Sequence, residues 1–434
     1  MKYSGSFLSR NLGVLICLLV FLNLNGGKNH WQGIPEADAR GYYAWLPAIF
    51  IYQDLHFSFM DSLEGKKYFN ENLYYEYRIG YEGKVINKYF AGTAFAQMPF
   101  FGLAHLWAIV GGYDADGYSK PYMMMIGIAA LFWLIIGLFW TDRLLDLYAI
   151  SDTTRALTLG AFLFGSNLFY YAVVEPGMSH IYSFALFAGV FYFSKKYQAQ
   201  KKGQDWMIAM ALMGLAVAVR PVNLIAALAF PFVLGGWKNS ISTLRNLGKK
   251  PLFLLSSLLI FGIFPIAQMF LHFLQTGVWG VRSYPNETFD FLHPQIFAIL
   301  FSYKKGLFLY TPIYLLSIVM GLFFLWRPGK VKALSWFFLF WFVQVWVFSS
   351  WWCWWYGGSF SGRPFLDFGV LLIVLLAAGI EYFRTFAWGK WLSFLILSVL
   401  VAFCQFQIYQ YRYYLIHWED MNREKYWEVF MQIP

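Results

Sequence analysis

Charge is what this chain has least of. Only 13% of its 434 residues are Asp, Glu, Lys or Arg, against about 25% in a soluble globular domain. So few charges cannot cover a water-exposed surface, which excludes the soluble globular class. Cysteine is scarcer still. Cys17, Cys353 and Cys404 fall in or beside apolar runs, at spacings that suit neither pairing nor metal binding. The histidines are scattered, and no His or Cys cluster suggests zinc. There is no low-complexity tract, no evident repeat and no linker long enough to separate domains, so 1–434 reads as a single integral membrane domain. The net charge is +10, but the basic residues lie in short loops rather than along a stripe. That pattern excludes a nucleic-acid footprint.

What is present is apolar and aromatic. Hydrophobic residues make up 59% and aromatics 22%, and the mean hydropathy is +0.50. Several apolar runs of about twenty residues predict an all-α polytopic membrane protein. The first run, Leu12 to Leu24, follows Lys2 and Arg10. It resembles a signal peptide, but no small-x-small site follows closely, so an uncleaved first transmembrane helix with a cytoplasmic N-terminus is expected. Further helices are expected near 120–140, 154–173, 179–194, 205–219, 221–236, 251–274, 306–326, 333–350, 364–383 and 390–410. With the first, these make about eleven spans.

The apolar run 93–110 is of about minimal length for a span and is expected to dip into the membrane, or lie along it, rather than cross. Charge supplies the reason. One loop carries Lys195, Lys196, Lys201 and Lys202, another Lys238, Arg245, Lys249 and Lys250, and a third runs from Arg327 to Lys332. Basic loops favour the cytoplasm, and all three face it only if 93–110 does not cross. Residues 26–119 then form a long first extracytoplasmic loop with interfacial and re-entrant segments. Short strands are expected within it, near 74–78 and 84–89, and 411–434 becomes an extracytoplasmic tail.

Candidate chemistry collects on that outer side, at Asp38, Arg40, Lys88, Glu175, Arg220, Arg282, Lys304, Lys305 and Arg363. The stretch Pro35-Glu36-Ala37-Asp38-Ala39-Arg40-Gly41-Tyr42-Tyr43-Ala44-Trp45-Leu46-Pro47 opens with charges and turns aromatic. A helix at a membrane surface has this pattern. Asp38 either faces a lipid-borne substrate there or merely caps the helix. Glu175, in the tight turn Tyr171 to His180, is held close to hydrocarbon and needs a partner or ligand, unless it caps the next helix. His180 closes that turn as a second binding candidate. Arg220 precedes Pro221, which breaks a helix beside a guanidinium. The pair suits phosphate, or else a cation snorkelling to headgroups. Trp351-Trp352-Cys353-Trp354-Trp355-Tyr356-Gly357-Gly358-Ser359-Phe360-Ser361-Gly362-Arg363 offers flat faces for sugar rings, Trp355 among them. It also offers glycines for close backbone approach and a forked donor at Arg363. The alternative is an aromatic belt.

The segment Asp38-Ala39-Arg40-Gly41-Tyr42 after the first helix resembles the first-loop acidic motif of the polyprenyl-phosphate-sugar-dependent glycosyltransferases of the GT-C fold. That group includes protein O-mannosyltransferases and the aminoarabinose transferases acting on lipid A. Lys88-Tyr89 before an apolar run is similar to their Lys-Pro-type segment. Tyr171 to Gly177 resembles their Tyr-x-x-x-Asp-Pro turn. Arg220 stands where they carry a basic residue, and Gly357 to Arg363 resembles a stretch of bacterial members. The match runs in order over about 10–240 and again near 350–365. Ala39 stands where the family often has a second acid, Glu36 lies two residues before Asp38, and Glu175 stands where Asp is commoner.

The resemblance implies a GT-C-like bundle in a bacterial inner membrane. It implies inverting transfer of one sugar from a polyprenyl-phosphate carrier to a lipid, glycan or protein hydroxyl on the outer side. Asp38 is then the base, and Glu175 orients donor or acceptor. Lys88, Arg220 and Arg363 stabilise the departing phosphate, with Glu36, Arg40, Tyr42, Tyr89, His180 and Trp355 as further binding residues. No cofactor and no metal ligand set are expected, a divalent ion being the one open addition. Membrane lipids are partners; nucleic acid is not. The rivals are a lipid-linked-sugar transporter or flippase, an O-antigen-type polymerase, and a non-catalytic membrane assembly protein.

Overall fold

The computed structural model describes residues 5–27, 30–63, 67–68, 77–280, 283–284, 287–325 and 331–433. Arg282, the expected strand residues 74–76 and positions 327–330 of the third basic loop lie outside them. The chain is helical. Among the described residues, six helices are long and apolar enough to cross a membrane. They are α1 (Gly5–Asn25), α3 (Gly92–Val110), α4 (Lys120–Leu147), α10 (Pro251–Thr276), the segment Arg363–Phe383 and α14 (Gly389–Arg412). A seventh arises if Pro221–Val233 and α9 (Trp237–Gly248), bent by 110°, count as one broken span.

That is fewer than eleven. The expected span 179–194 lies in α7 (Ser179–Gln200), a continuous helix that is not among the six, and several of the others have a local cause. The expected helix 154–173 divides into α5 (Asp152–Gly165) and α6 (Leu168–Val173). Ser166 between them is extended, and its Oγ accepts the Leu168 N–H at 3.2 Å. A side chain there competes with the helix ladder. Run 306–326 breaks at Thr311-Pro312 into Leu307–Tyr310 and α11 (Ile313–Leu325), because proline cannot donate within a helix. Pro221 opens a 3-10 stretch, Pro221–Ala229, in place of an α-helix. Next to it, α8 (Gly203–Val219) has 17 residues, and α12 (Val331–Ser349) presents a shorter apolar length, Ala333–Ser349. The segment from Arg363 begins as a 3-10 turn and continues as α13 (Gly369–Phe383).

The run 93–110 is a continuous helix. Its position relative to its neighbours follows from its contacts. His105 and Phe101 of α3 meet Tyr122, Phe100 meets Phe132, and the Ala96 carbonyl accepts the Trp133 indole N–H at 3.1 Å. Thus α3 runs antiparallel to the first half of α4. Both flanks of α3 are tied to one short helix, α2 (Asp38–Pro47). Trp45 Nε1 donates to the Tyr89 carbonyl at 3.1 Å, and the Tyr43 hydroxyl donates to the Gly117 carbonyl. Residues before and after α3 therefore belong to one local unit.

Further along, α4 runs parallel to α7 (Ser179–Gln200). Trp133 meets Tyr182, and a Cβ on Gly137 would lie 3.0 Å from Ala185 Cα. Small residues let such helices approach closely. The start of α3 is placed by Gly92, where a Cβ would overlap the Val219 backbone at 2.1 Å. That contact seats α3 against the break at Arg220.

In the 26–119 loop, β1 (Arg78–Tyr81) pairs antiparallel with β2 (Lys84–Asn87). Their turn, Glu82-Gly83, has positive φ at both residues, the geometry that suits a two-residue hairpin. The hairpin delivers Lys88 and Tyr89 to α2. Asn87 Nδ2 donates to the Gly41 carbonyl at 2.7 Å, and a Cβ on Gly41 would strike the Tyr89 ring at 2.2 Å. On the far side of the bundle, Arg155 of α5 binds Asp142 and Asp146 of α4 at 2.9 and 2.7 Å. This second charge network ties helix ends together, away from the site.

Candidate active site

One cavity of about 670 Å³ gathers residues from distant parts of the chain. The first turn of α2 supplies Asp38 and Tyr42, and the residues after β2 supply Lys88 and Tyr89. The start of α7 supplies His180, the break after α8 supplies Arg220, and the 351–363 stretch supplies Trp355 and Arg363. All eight were legible as candidates in the sequence.

Asp38 does not cap its helix. Ala37 is the capping residue, and no side chain caps that end. The Asp38 carboxylate instead accepts from Arg363 Nη2 at 2.6 Å and from the Tyr89 hydroxyl at 2.8 Å. Burial pushes this carboxyl up. Arg363, the Tyr89 hydrogen bond, Lys88 and His180 together outweigh burial and hold it below the usual range. Asp38 is therefore ionised at neutral pH.

Each cavity cation has an acidic partner. Arg363 is paired with Asp38, and Lys88 lies 3.5 Å from Glu287. Arg220 lies 3.1 Å from Asp367, which also accepts from His180 Nδ1 at 2.7 Å. A phosphate entering here meets three cations already held in place, at no further cost in ordering their side chains. The lining is also aromatic, with Trp351, Trp352, Trp355 and Trp418 as well as Gly357 and Gly358. Lys304 stands 3.8 Å over the Trp355 ring and 3.3 Å from Glu419. Trp352 Nε1 donates to Glu287 at 3.0 Å, so one carboxylate binds both a cation and a tryptophan of the lining.

Backbone strain gathers here too. Ala37, Tyr284 and Tyr356 line the cavity with φ of 45°, 59° and 58°, and Ser361 nearby has 59°. Non-glycine residues in that region cost about 1–3 kcal/mol each and persist where the surroundings enforce them, often at functional sites.

Five sequence candidates among the described residues do not line the cavity: Arg40, Glu36, Glu175, Lys304 and Lys305. Arg40 is two residues past Asp38, on the opposite side of α2. It is buried beside a separate small pocket with Tyr43, Tyr68, Tyr77 and Tyr118. Glu36 is half-buried beyond the cavity wall, its carboxyl raised by burial against the opposing pull of Arg412. Glu175 is buried in the turn between α6 and α7, and the Tyr170 hydroxyl donates to its Oε1 at 2.6 Å. Burial pushes Glu175 up to about 7, with Arg363 opposing. It is not among the residues that line the cavity. Lys305 is also buried, donating to the Ser359 carbonyl, and burial brings it down to about 7.

Sequence reasoning missed Asp367, Glu287, Trp418 and Glu419. Asp367 had a signal, as a lone acid near the start of the apolar run 364–383. The others sit in mixed loops with none. Among the described residues, no group of three or more His, Cys, Asp or Glu side chains could hold a metal ion. No protein-family model matches the chain, and no curated protein matches it.

Proposed function

We propose that this protein is a membrane glycosyltransferase with a GT-C-like fold, moving a sugar from a polyprenyl-phosphate carrier to an extracytoplasmic hydroxyl with inversion. The observation that carries this reading is the convergence of Asp38, Lys88, Arg220 and Arg363 on one cavity whose lining also holds tryptophans and glycines. Three fixed cations suit a departing phosphate. A carboxylate among them suits proton removal from an attacking hydroxyl. Tryptophan faces suit sugar rings. The leaving phosphate competes with Asp38 for Arg363. As it does so, Asp38 loses its counter-charge and becomes a stronger base in the step that needs one.

The proposed topology keeps the cavity outside and α3 within the outer half of the membrane. Support comes from α2, which binds residues on both flanks of α3. Cysteines placed at Gly83 and at Lys201, with the native cysteines replaced by serine, test this in intact cells. An impermeant maleimide should label the first and spare the second. Labelling at Lys201 reverses the orientation.

The activity is tested with the purified chain in lipid vesicles and a polyprenyl-phosphate sugar. Donor consumption and release of polyprenyl phosphate are expected on addition of envelope extract as acceptor source. A chain that moves the intact donor across the bilayer without cleaving it is a transporter instead.

A further inference from the structure

His180 is fixed by a residue that makes no contact with the cavity. Asp367 is fully buried and accepts from His180 Nδ1 at 2.7 Å. A carboxylate can only accept, so the ring hydrogen of neutral His180 is on Nδ1. Nε2 is the remaining polar atom, on a ring that lines the cavity, and it has no protein hydrogen-bond partner among the described residues.

Burial is the largest influence on this ring and disfavours a proton on it, and the charges around it are set out unevenly. Asp367 favours a proton on it. Arg220, with Nη1 3.3 Å from Nδ1, and Arg363 oppose one. Asp38 across the cavity favours it, and the Tyr171 ring packs at 5.3 Å. A phosphate bound by Arg220 and Arg363 cancels the opposition of the two arginines and leaves the carboxylates to act against burial. It also adds a negative charge to a cavity whose three cations are already balanced by Asp38, Glu287 and Asp367.

Resting on the donor reading above, we propose that His180 takes up a proton when the donor phosphodiester binds and returns it, as general acid, to the departing phosphate. The acceptor O–H bond breaks and its proton passes to Asp38. The oxygen forms the new bond to the anomeric carbon. The bond from that carbon to the phosphate oxygen breaks, with its electron pair going to that oxygen. His180 Nε2–H protonates the phosphate, which leaves as a monoanion. Asp38 then returns its proton to water, balancing the one taken up on binding. Asp367 is a positioning residue that fixes the tautomer and supports the imidazolium.

The test is calorimetry of farnesyl methyl phosphate binding to the full chain, in buffers of different ionisation enthalpy between pH 5.5 and 7.5. This diester carries one charge throughout that range, so any proton taken up belongs to the protein. Wild type should take up close to one proton within that range, with binding tightening by up to about tenfold per pH unit as pH falls there. His180→Asn keeps a donor near Asp367 but cannot be protonated, and should bind with uptake smaller by close to one proton. Asp367→Asn should reduce uptake. Wild-type binding without proton uptake, or undiminished uptake in His180→Asn, overturns the assignment. Failure of wild type to bind the diester at all counts against the donor reading instead.

Discussion

Asp38→Asn should lower the rate of sugar transfer by about a hundredfold or more at saturating donor, the scale of one general base. Asparagine keeps the size and can still accept from Tyr89, but it cannot take a proton. It also leaves Arg363, now 2.6 Å from a carboxylate, without its counter-charge. Donor phosphate should then bind as well as in wild type or better, so the loss appears in kcat. Quantifying transfer in membranes holding equal amounts of each variant separates chemistry from expression. Glu36→Gln should cost far less, because Glu36 lies outside the cavity. Full activity in Asp38→Asn would remove the base and the main support for an enzyme.

The same pair sets the pH dependence. The free-site carboxyl of Asp38 lies below its ordinary value, since Arg363, Tyr89, Lys88 and His180 outweigh burial. Activity that requires ionised Asp38 is present above that lowered pKa and is lost as pH falls through it. The acid limb of kcat/KM, which reports the free enzyme, should therefore lie at unusually low pH. Bound phosphate draws Arg363 away, so the acid limb of kcat should lie higher. Arg363→Ala should move the kcat/KM limb upward. A limb unchanged in that variant would mean that another group titrates.

Replacing Arg220 or Arg363 with alanine should weaken donor binding by about 1.5–3 kcal/mol, roughly 10- to 150-fold in Kd. The two variants should differ in stability. Arg363→Ala leaves Asp38 facing a cavity that water can enter. Arg220→Ala leaves Asp367, fully buried, with only His180. An uncompensated buried charge costs about 3–5 kcal/mol. Adding Asp367→Asn to Arg220→Ala should recover much of that stability and none of the donor affinity. Arg363→Lys should restore binding only partially, since an ammonium does not reproduce the guanidinium fork. Isothermal titration with farnesyl methyl phosphate, alongside thermal unfolding, checks both halves. Unchanged affinity in both alanine variants would take these arginines out of the phosphate site.

Composition alone determined that the chain is helical and apolar enough for a membrane. Burying a run of apolar side chains is a local property, so α1, α4, α10 and α14 fall where the apolar runs do. The candidate charges were legible for a related reason. An ion next to hydrocarbon is costly wherever the chain goes next, so Asp38, Arg220 and Arg363 stood out one by one. Their partners did not. Asp38 and Arg363 lie 325 residues apart, and His180 and Asp367 lie 187 apart. No local pattern says which acid will neutralise which base.

Facing was equally hidden. Asp38 and Arg40 share a motif, yet a two-residue step turns a helical side chain about 200°, so one lines the cavity and the other a separate pocket. Glu175 was a candidate in the same way and does not line the cavity. Helix continuity was hidden where a single side chain or proline decides it, as at Ser166, Pro221 and Pro312. Residue chemistry could name candidates because desolvation acts on each residue by itself. Pairing and orientation are relations between segments, and only the packed chain could decide them.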